Sequence, residues 1–127
     1  MAKKAKELQF TAPNKIGVLS NLASALKKAG VNILSIWAYG EGSKAYFGII
    51  TNRNMAAKKI LKKLGMAAKE KEMLVINCPN KVGVLARVSG RLAKAKINIA
   101  CLSGSTCGKR GTMVLSTNQN NKAARLV

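Results

Sequence analysis

The sequence predicts an α+β fold. It consists of two tandem ferredoxin-like βαββαβ modules, residues 1–71 and 72–127, each an antiparallel sheet with its helices on one face, the second lacking its last strand. Three observations point there. Asn14-Lys15-Ile16-Gly17-Val18-Leu19 recurs as Asn80-Lys81-Val82-Gly83-Val84-Leu85, an offset of 66 residues. The register persists, since Leu26 matches Leu92, Asn32-Ile33 matches Asn98-Ile99, and Thr51-Asn52-Arg53-Asn54 aligns with Thr117-Asn118-Gln119-Asn120. Helix-like and strand-like stretches follow in the same order in both copies.

In the first copy, Leu8 to Thr11 reads as a short strand that Pro13-Asn14 ends. Ile16, Leu19, Leu22, Ala23 and Leu26 then recur at three- and four-residue spacing, predicting a helix with one apolar stripe that stops at Gly30. Val31 to Tyr39 is rich in β-branched and aromatic residues and predicts strand two. Gly40-Glu41-Gly42-Ser43 supplies a turn, and Lys44 to Thr51 returns as strand three. Asn54 is placed to cap a second helix, with Ala57, Ile60, Leu61 and Leu64 facing the core and Lys58, Lys59, Lys62 and Lys63 facing water. Met66 to Glu70 is expected as a weak fourth strand, and Met73 to Cys78 as the first strand of the second copy. That copy continues as a helix at 82–94, strands at 97–102 and 111–117, and a helix near Asn121. Without a fourth strand, Leu74-Val75-Ile76 is expected at a sheet edge, where unpaired backbone groups favour a homodimer or some other cover.

Composition narrows the function. Lys and Arg number 23 against Glu7, Glu41, Glu70 and Glu72, with no Asp and no His, for a net charge of +19. The charges are spread along the chain instead of gathering in one block, which fits solvated faces, with non-specific nucleic-acid binding a further expectation. No apolar run approaches the roughly 18 residues of a membrane span. The basic start Met1-Ala2-Lys3-Lys4-Ala5-Lys6 leads into a segment too polar for a signal-peptide core, so a cytoplasmic protein is expected. Cys78, Cys101 and Cys107 form no C-x-x-C pair; Cys78 and Cys101 are read as buried small hydrophobes, and neither a metal site nor a cofactor is expected.

The pattern Pro-Asn-Lys-x-Gly-Val-Leu at residues 13–19 and 79–85, followed by a helix of about a dozen residues and then by Asn32-Ile33 or Asn98-Ile99, resembles the ACT family of amino-acid-sensing modules. The resemblance spans both copies. Two departures stand out: Ile16 and Val82 occupy places where the family often has Pro, and Asn14 and Asn80 places where it often has Asp. The resemblance implies a regulatory protein whose partner is a small-molecule effector, an amino acid, bound between paired modules. It implies that Asn14 and Asn32 hold the effector in copy one, and Asn80 and Asn98 in copy two, as in the similar serine-sensing modules of phosphoglycerate dehydrogenases.

Those residue types suit the task. A carboxamide both donates and accepts, so it serves either end of a zwitterion. The amides opening each helix, around Val18 and Val84, lack intrahelical acceptors and attract a carboxylate, while Gly17 and Gly83 admit a close approach to the backbone. Equally, Asn14 and Asn80 are candidates for helix caps and the glycines for turn residues. An enzyme is not expected: with no His and no Asp, Cys107 has no partner base and the four Glu form no constellation, so no catalytic residue is assigned. RNA binding is the alternative, because RNA-recognition motifs share the βαββαβ order and Lys44-Ala45-Tyr46-Phe47-Gly48-Ile49-Ile50 loosely matches their aromatic third strand. The copy-two counterpart, Arg110-Gly111-Thr112-Met113-Val114-Leu115-Ser116, has no aromatic to stack a base.

Overall fold

The computed structural model describes residues 2–127; Met1 lies outside them. The elements are β1 (Ala2–Pro13), α1 (Val18–Lys28), β2 (Ile33–Glu41), β3 (Lys44–Thr51), α2 (Asn54–Lys63), β4 (Lys69–Pro79), α3 (Val84–Lys94), β5 (Ile99–Cys107), β6 (Arg110–Thr117) and α4 (Asn120–Leu126). They group into two compact units, one of Lys6–Lys71 and one of Glu72–Val127, with residues 2–5 joining the latter.

In the unit Lys6–Lys71, β3 lies between β1 and β2, antiparallel to both, with Phe10 opposite Phe47 and Trp37 opposite Gly48. Alternate residues of β1 and β3 point inward, so Leu8, Phe10, Phe47 and Ile49 meet Leu22 and Leu26 of α1 and Leu61 of α2. The Phe10 and Phe47 rings stack at 5.1 Å. Two expected core residues lie elsewhere: Ile16 is fully exposed and Leu19 is 48% exposed. The cause is Gly17, whose φ of 87° puts a left-handed turn just before the helix, so that α1 begins at Val18 and Ile16 lies outside it. Leu64, expected to be buried at the end of α2, is also exposed, because the helix has ended at Lys63.

In the other unit, β6 lies between β4 and β5, antiparallel to both, with Leu74 opposite Leu115 and Leu102 opposite Leu115 on the other side. Its core joins Leu74, Ile76 and Leu115 to Val88 and Leu92 of α3 and Ala123 of α4. The expected edge at Leu74-Val75-Ile76 is covered. The second neighbour of β4 is β1, whose residues 2–5 belong to this unit. Ala2 packs on the core, and the Lys4 ammonium donates to Asn121 Oδ1 and stands 3.9 Å from Glu72 Oε2. The separate strands expected at Met66–Glu70 and Met73–Cys78 are one strand, β4. No Gly, Pro or Asn between Lys69 and Ile76 offers a turn to break it. Cys78 is buried as expected, but Cys101 is exposed on β5. Glu7 is only 1% exposed and accepts a bond from Gln9 Nε2 at 2.9 Å.

Both repeats join the third strand to the following helix by the same device. Asn54 does not cap α2 from outside; it is the first helical residue, and its Oδ1 accepts from Thr51 N at 3.2 Å and Thr51 Oγ1 at 2.7 Å. Asn120 Oδ1 repeats this with Thr117 N at 2.8 Å and Oγ1 at 2.9 Å. The repeats differ at the exit of the first helix. Gly30 turns left-handed at φ 70°, whereas its counterpart Lys96 holds φ 59° with a side chain attached. In both, the next amide returns to the helix, Val31 to Leu26 O at 3.0 Å and Ile97 to Leu92 O at 2.9 Å, so the conformation is obligatory. A left-handed non-glycine residue costs roughly 1–2 kcal/mol. Lys96→Gly is therefore expected to stabilise the protein by about 1 kcal/mol in urea unfolding at unchanged m value; a neutral or destabilising result would contradict the strain.

Candidate functional site

Each repeat forms a cavity at the place where its signature segment enters the helix. In the unit Glu72–Val127 the cavity measures about 380 Å³. Its floor is Gly104 of β5 with Gly111 and Met113 of β6, and its rim is the turn Pro79-Asn80-Lys81 with Val84 and Leu85 of the first turn of α3. In the unit Lys6–Lys71 the equivalent cavity measures about 220 Å³ between Pro13-Asn14-Lys15, Val18 and Leu19 on one side and Ala38, Ala45 and Phe47 on the other. Every residue lining the smaller cavity has its counterpart, 66 positions on, lining the larger one. The repeat has thus duplicated the cavity as well as the fold.

One carboxamide holds each rim. Asn80 Nδ2 donates to Gly108 O at 2.9 Å, and the Asn80 backbone amide donates to Lys109 O at 2.9 Å. Asn14 does the same, Nδ2 to Gly42 O and N to Ser43 O, both at 3.0 Å. The acceptors sit in two-residue hairpin turns that begin with left-handed Gly42 and Gly108. Asn14 and Asn80 are therefore not helix caps; neither helix has a side-chain cap, and the first residue before each is Gly17 or Gly83. Each Asn spends its amide group on the hairpin and keeps its Oδ1 for another partner. In the first repeat the carboxamide lies on Gly40, where a Cβ would come within 2.6 Å of Asn14 Nδ2.

The expected site residues separate accordingly. Asn14 and Val18 line one cavity, and Asn80 and Val84 the other. Gly17 and Gly83 serve the turn: nothing lies within 4 Å of where their Cβ atoms would be, but φ values of 87° and 89° require glycine. Asn32 and Asn98 do not join them. Asn32 precedes β2 while Asn14 rests on Gly40 near the far end of that strand, about 25 Å away at roughly 3.3 Å per residue. The Asn32 and Asn98 side chains are exposed, and their backbones pair with Asn52 and Asn118: Asn32 N donates to Asn52 Oδ1 at 2.9 Å, and Asn98 N to Asn118 Oδ1 at 3.0 Å. Within each unit, the two asparagines of the expected pair lie apart. Leu85, Gly104, Gly111 and Met113 were not singled out from the sequence, although the offset of 66 applied to Ala38, Ala45 and Phe47 leads directly to three of them.

Polar groups around the larger cavity include Asn80, Ser105, Thr106 and Thr112, and its one charged residue is Lys81. The first turn of α3 has no acidic residue and no capping side chain; Val84 N donates to Lys81 O at 3.4 Å and Arg87 N to Gly83 O at 2.9 Å, which leaves the Leu85 and Ala86 amides without an intrahelical acceptor. A small molecule with a carboxylate meets a cation and helix amides at the rim and Val84, Leu85, Leu102 and Met113 inside. Among the described residues no group of His, Cys, Asp and Glu is placed to hold a metal, and no helix is long and apolar enough to cross a membrane.

A family model described as an ACT domain pair matches residues 4–127. No curated protein matches the chain by sequence. Among solved structures, a Bacteroides thetaiotaomicron protein superimposes with a TM-score of 0.90 at 24% identity, covering 98% of this chain and 87% of that one. The ligand-free regulatory subunit of aspartate kinase from Thermus thermophilus gives 0.73 at 14% identity, over 99% and 92%. That from Thermus flavus gives 0.66 at 16% identity, over 98% and 93%. At these identities the likeness is one of fold.

Removing the Asn80 carboxamide deletes a neutral hydrogen bond worth about 1 kcal/mol. Asn80→Ala is expected to lower stability by about that much and to speed amide exchange at Lys109 and Arg110, with α4 unchanged. Uniform acceleration across the unit, or none, would show that the bond does not hold the rim.

Proposed function

The chain belongs to the ACT family, as an ACT domain pair, and from that membership we propose that it is a regulatory protein that binds a small-molecule effector, an α-amino acid, at the helix-entry cavities. The observation that carries this reading is the duplicated cavity, which the most regular part of the repeat, Pro-Asn-Lys-x-Gly-Val-Leu, lines in both copies. The ammonium would be accepted by the free Oδ1 of Asn80 and the carboxylate by Lys81 and the opening of α3. Similarity of fold to regulatory subunits of aspartate kinase supports a regulatory and not a catalytic role for the chain. Asn32 and Asn98 are left outside this site.

Regulation requires that the effector bind one state better than another, since equal affinity shifts nothing. A homodimer supplies such states, and exposed Ile16 in one unit and Val82 in the other offer apolar surface for it. Three unpaired cysteines, two of them exposed, suit a reducing cytoplasm.

The nucleic-acid reading keeps one favourable observation. Phe47 is core, but Tyr46 stacks on Tyr39 at 5.0 Å and Tyr39 on Trp37 at 6.0 Å, and Tyr39 is 54% exposed. Stacked aromatics in a chain of charge +19 are what a single strand would meet. Thermal unfolding separates the two. With each of the twenty amino acids in turn, an effector at a hundredfold its Kd should raise stability by about 2.7 kcal/mol. No shift with any of them, together with tight binding of one RNA sequence that survives high salt, would replace the effector reading with the RNA reading.

A further inference from the structure

Resting on the effector reading above, we infer that only the cavity of the unit Glu72–Val127 is an effector site, that its ligand is an α-amino acid with an uncharged apolar side chain, and that the first repeat carries a closed copy. The two cavities share backbone, latch and rim, so their difference in volume comes from side chains. Four exchanges on the inner faces of the strands distinguish the two. Ala38 is replaced by Gly104, Gly40 by Thr106, Ala45 by Gly111 and Phe47 by Met113. In the first repeat, the Phe47 ring lies stacked on Phe10 and is 4% exposed, a fixed plate across the floor. In the second, a flexible thioether chain takes the place of the ring and two methyl groups are gone, against which the Thr106 side chain is added where Gly40 has none.

Volume decides which copy binds. Ligand cavities usually measure roughly 300–1,000 Å³. The 380 Å³ cavity reaches that range and the 220 Å³ one falls short.

The lining decides what is bound. Lys81 is the only ion there; Cys78 and Met113 form a buried apolar floor, Val84, Leu85 and Leu102 an apolar edge that is partly exposed, and Ser105, Thr106 and Thr112 the polar remainder. A cationic side chain would find no carboxylate, and an acidic one would compete with the ligand's own carboxylate for the single cation, Lys81. An aliphatic or thioether side chain loses nothing and gains the contacts.

The two glycines make the inference testable without a disruptive change. A Cβ at Gly104 would stand 3.2 Å from Met113 Cγ, and one at Gly111 would stand 3.2 Å from Thr106 Cγ2 and 3.3 Å from Cys78 Sγ. Those neighbours all line the cavity, so the room they yield is the ligand's room. Alanine occupies both places in the first repeat, where Gly40 stands opposite Ala45; in the second, Thr106 stands opposite Gly111 and its side chain must yield a few tenths of an ångström.

Isothermal titration of the full chain with the twenty amino acids is the test, run on the unaltered protein and on the double variant Gly104→Ala/Gly111→Ala, with the melting temperature of each as a check on folding. One equivalent per chain of an amino acid such as leucine, isoleucine, valine or methionine is expected, with charged amino acids at least tenfold weaker. The double variant should fold with a melting temperature within a few degrees and bind at least tenfold more weakly. Phe47→Met in the first repeat should leave that affinity unchanged. Two equivalents per chain, a charged ligand preferred, or full affinity in the folded double variant would overturn the inference and leave the effector reading intact. Failure of all twenty to bind the unaltered protein would remove both.

Discussion

A single side-chain bond, made twice, sets the geometry on which the rest of the molecule's chemistry depends. Asn14 and Asn80 each bind the carbonyl of a hairpin glycine, tying the chain that enters the first helix to the turn between the second and third strands. The backbone amides of the same residues reach Ser43 O and Lys109 O, so side chain and main chain together hold the exposed turn, with Ile16 or Val82 at its tip, at a fixed distance from the sheet. With that hold, the helix opens over the inner faces of two strands and a cavity is left between them. The left-handed glycines Gly17 and Gly83 complete the arrangement by turning the chain sharply into α1 and α3.

Because both repeats keep this frame, differences between them are informative. The floor of the first cavity is filled by an aromatic ring that already has a partner in Phe10, which makes it core. The floor of the second is glycine and methionine, a poorer packing arrangement for a core and a better one for a ligand. Relaxed packing in one of two otherwise equal copies is a pattern that selection for stability alone would not favour.

Apart from the two expected strands that are one in β4, the order of elements and the offset of 66 were legible because periodicity and turn residues report local structure. The cover over Leu74-Val75-Ile76 was not, since it comes from residues 2–5, which are distant in sequence and have no apolar pattern of their own. Ile16 and Leu19 fit the helical stripe by spacing, yet a left-handed glycine between them shifts the start of α1 to Val18. For the site, the motif leads to residues that line the two cavities, Asn14 and Val18 in one and Asn80 and Val84 in the other. The pairing of those asparagines with Asn32 and Asn98 within a unit fails because α1 or α3 and a whole strand separate them. Glu7 was opaque for a different reason: a charged residue between Lys6 and Leu8 carries no signal of burial, and only packing on the strand buries it.

Crystals of the full chain grown with the tightest-binding amino acid offer the most direct examination of this account. Density for one molecule over Gly104, Gly111 and Met113, its carboxylate toward Lys81 and its side chain against Leu85 and Leu102, is the outcome the cavity dictates. Density beside Asn32 or Asn98 instead, with the Pro79–Leu85 cavity holding only solvent, would contradict it.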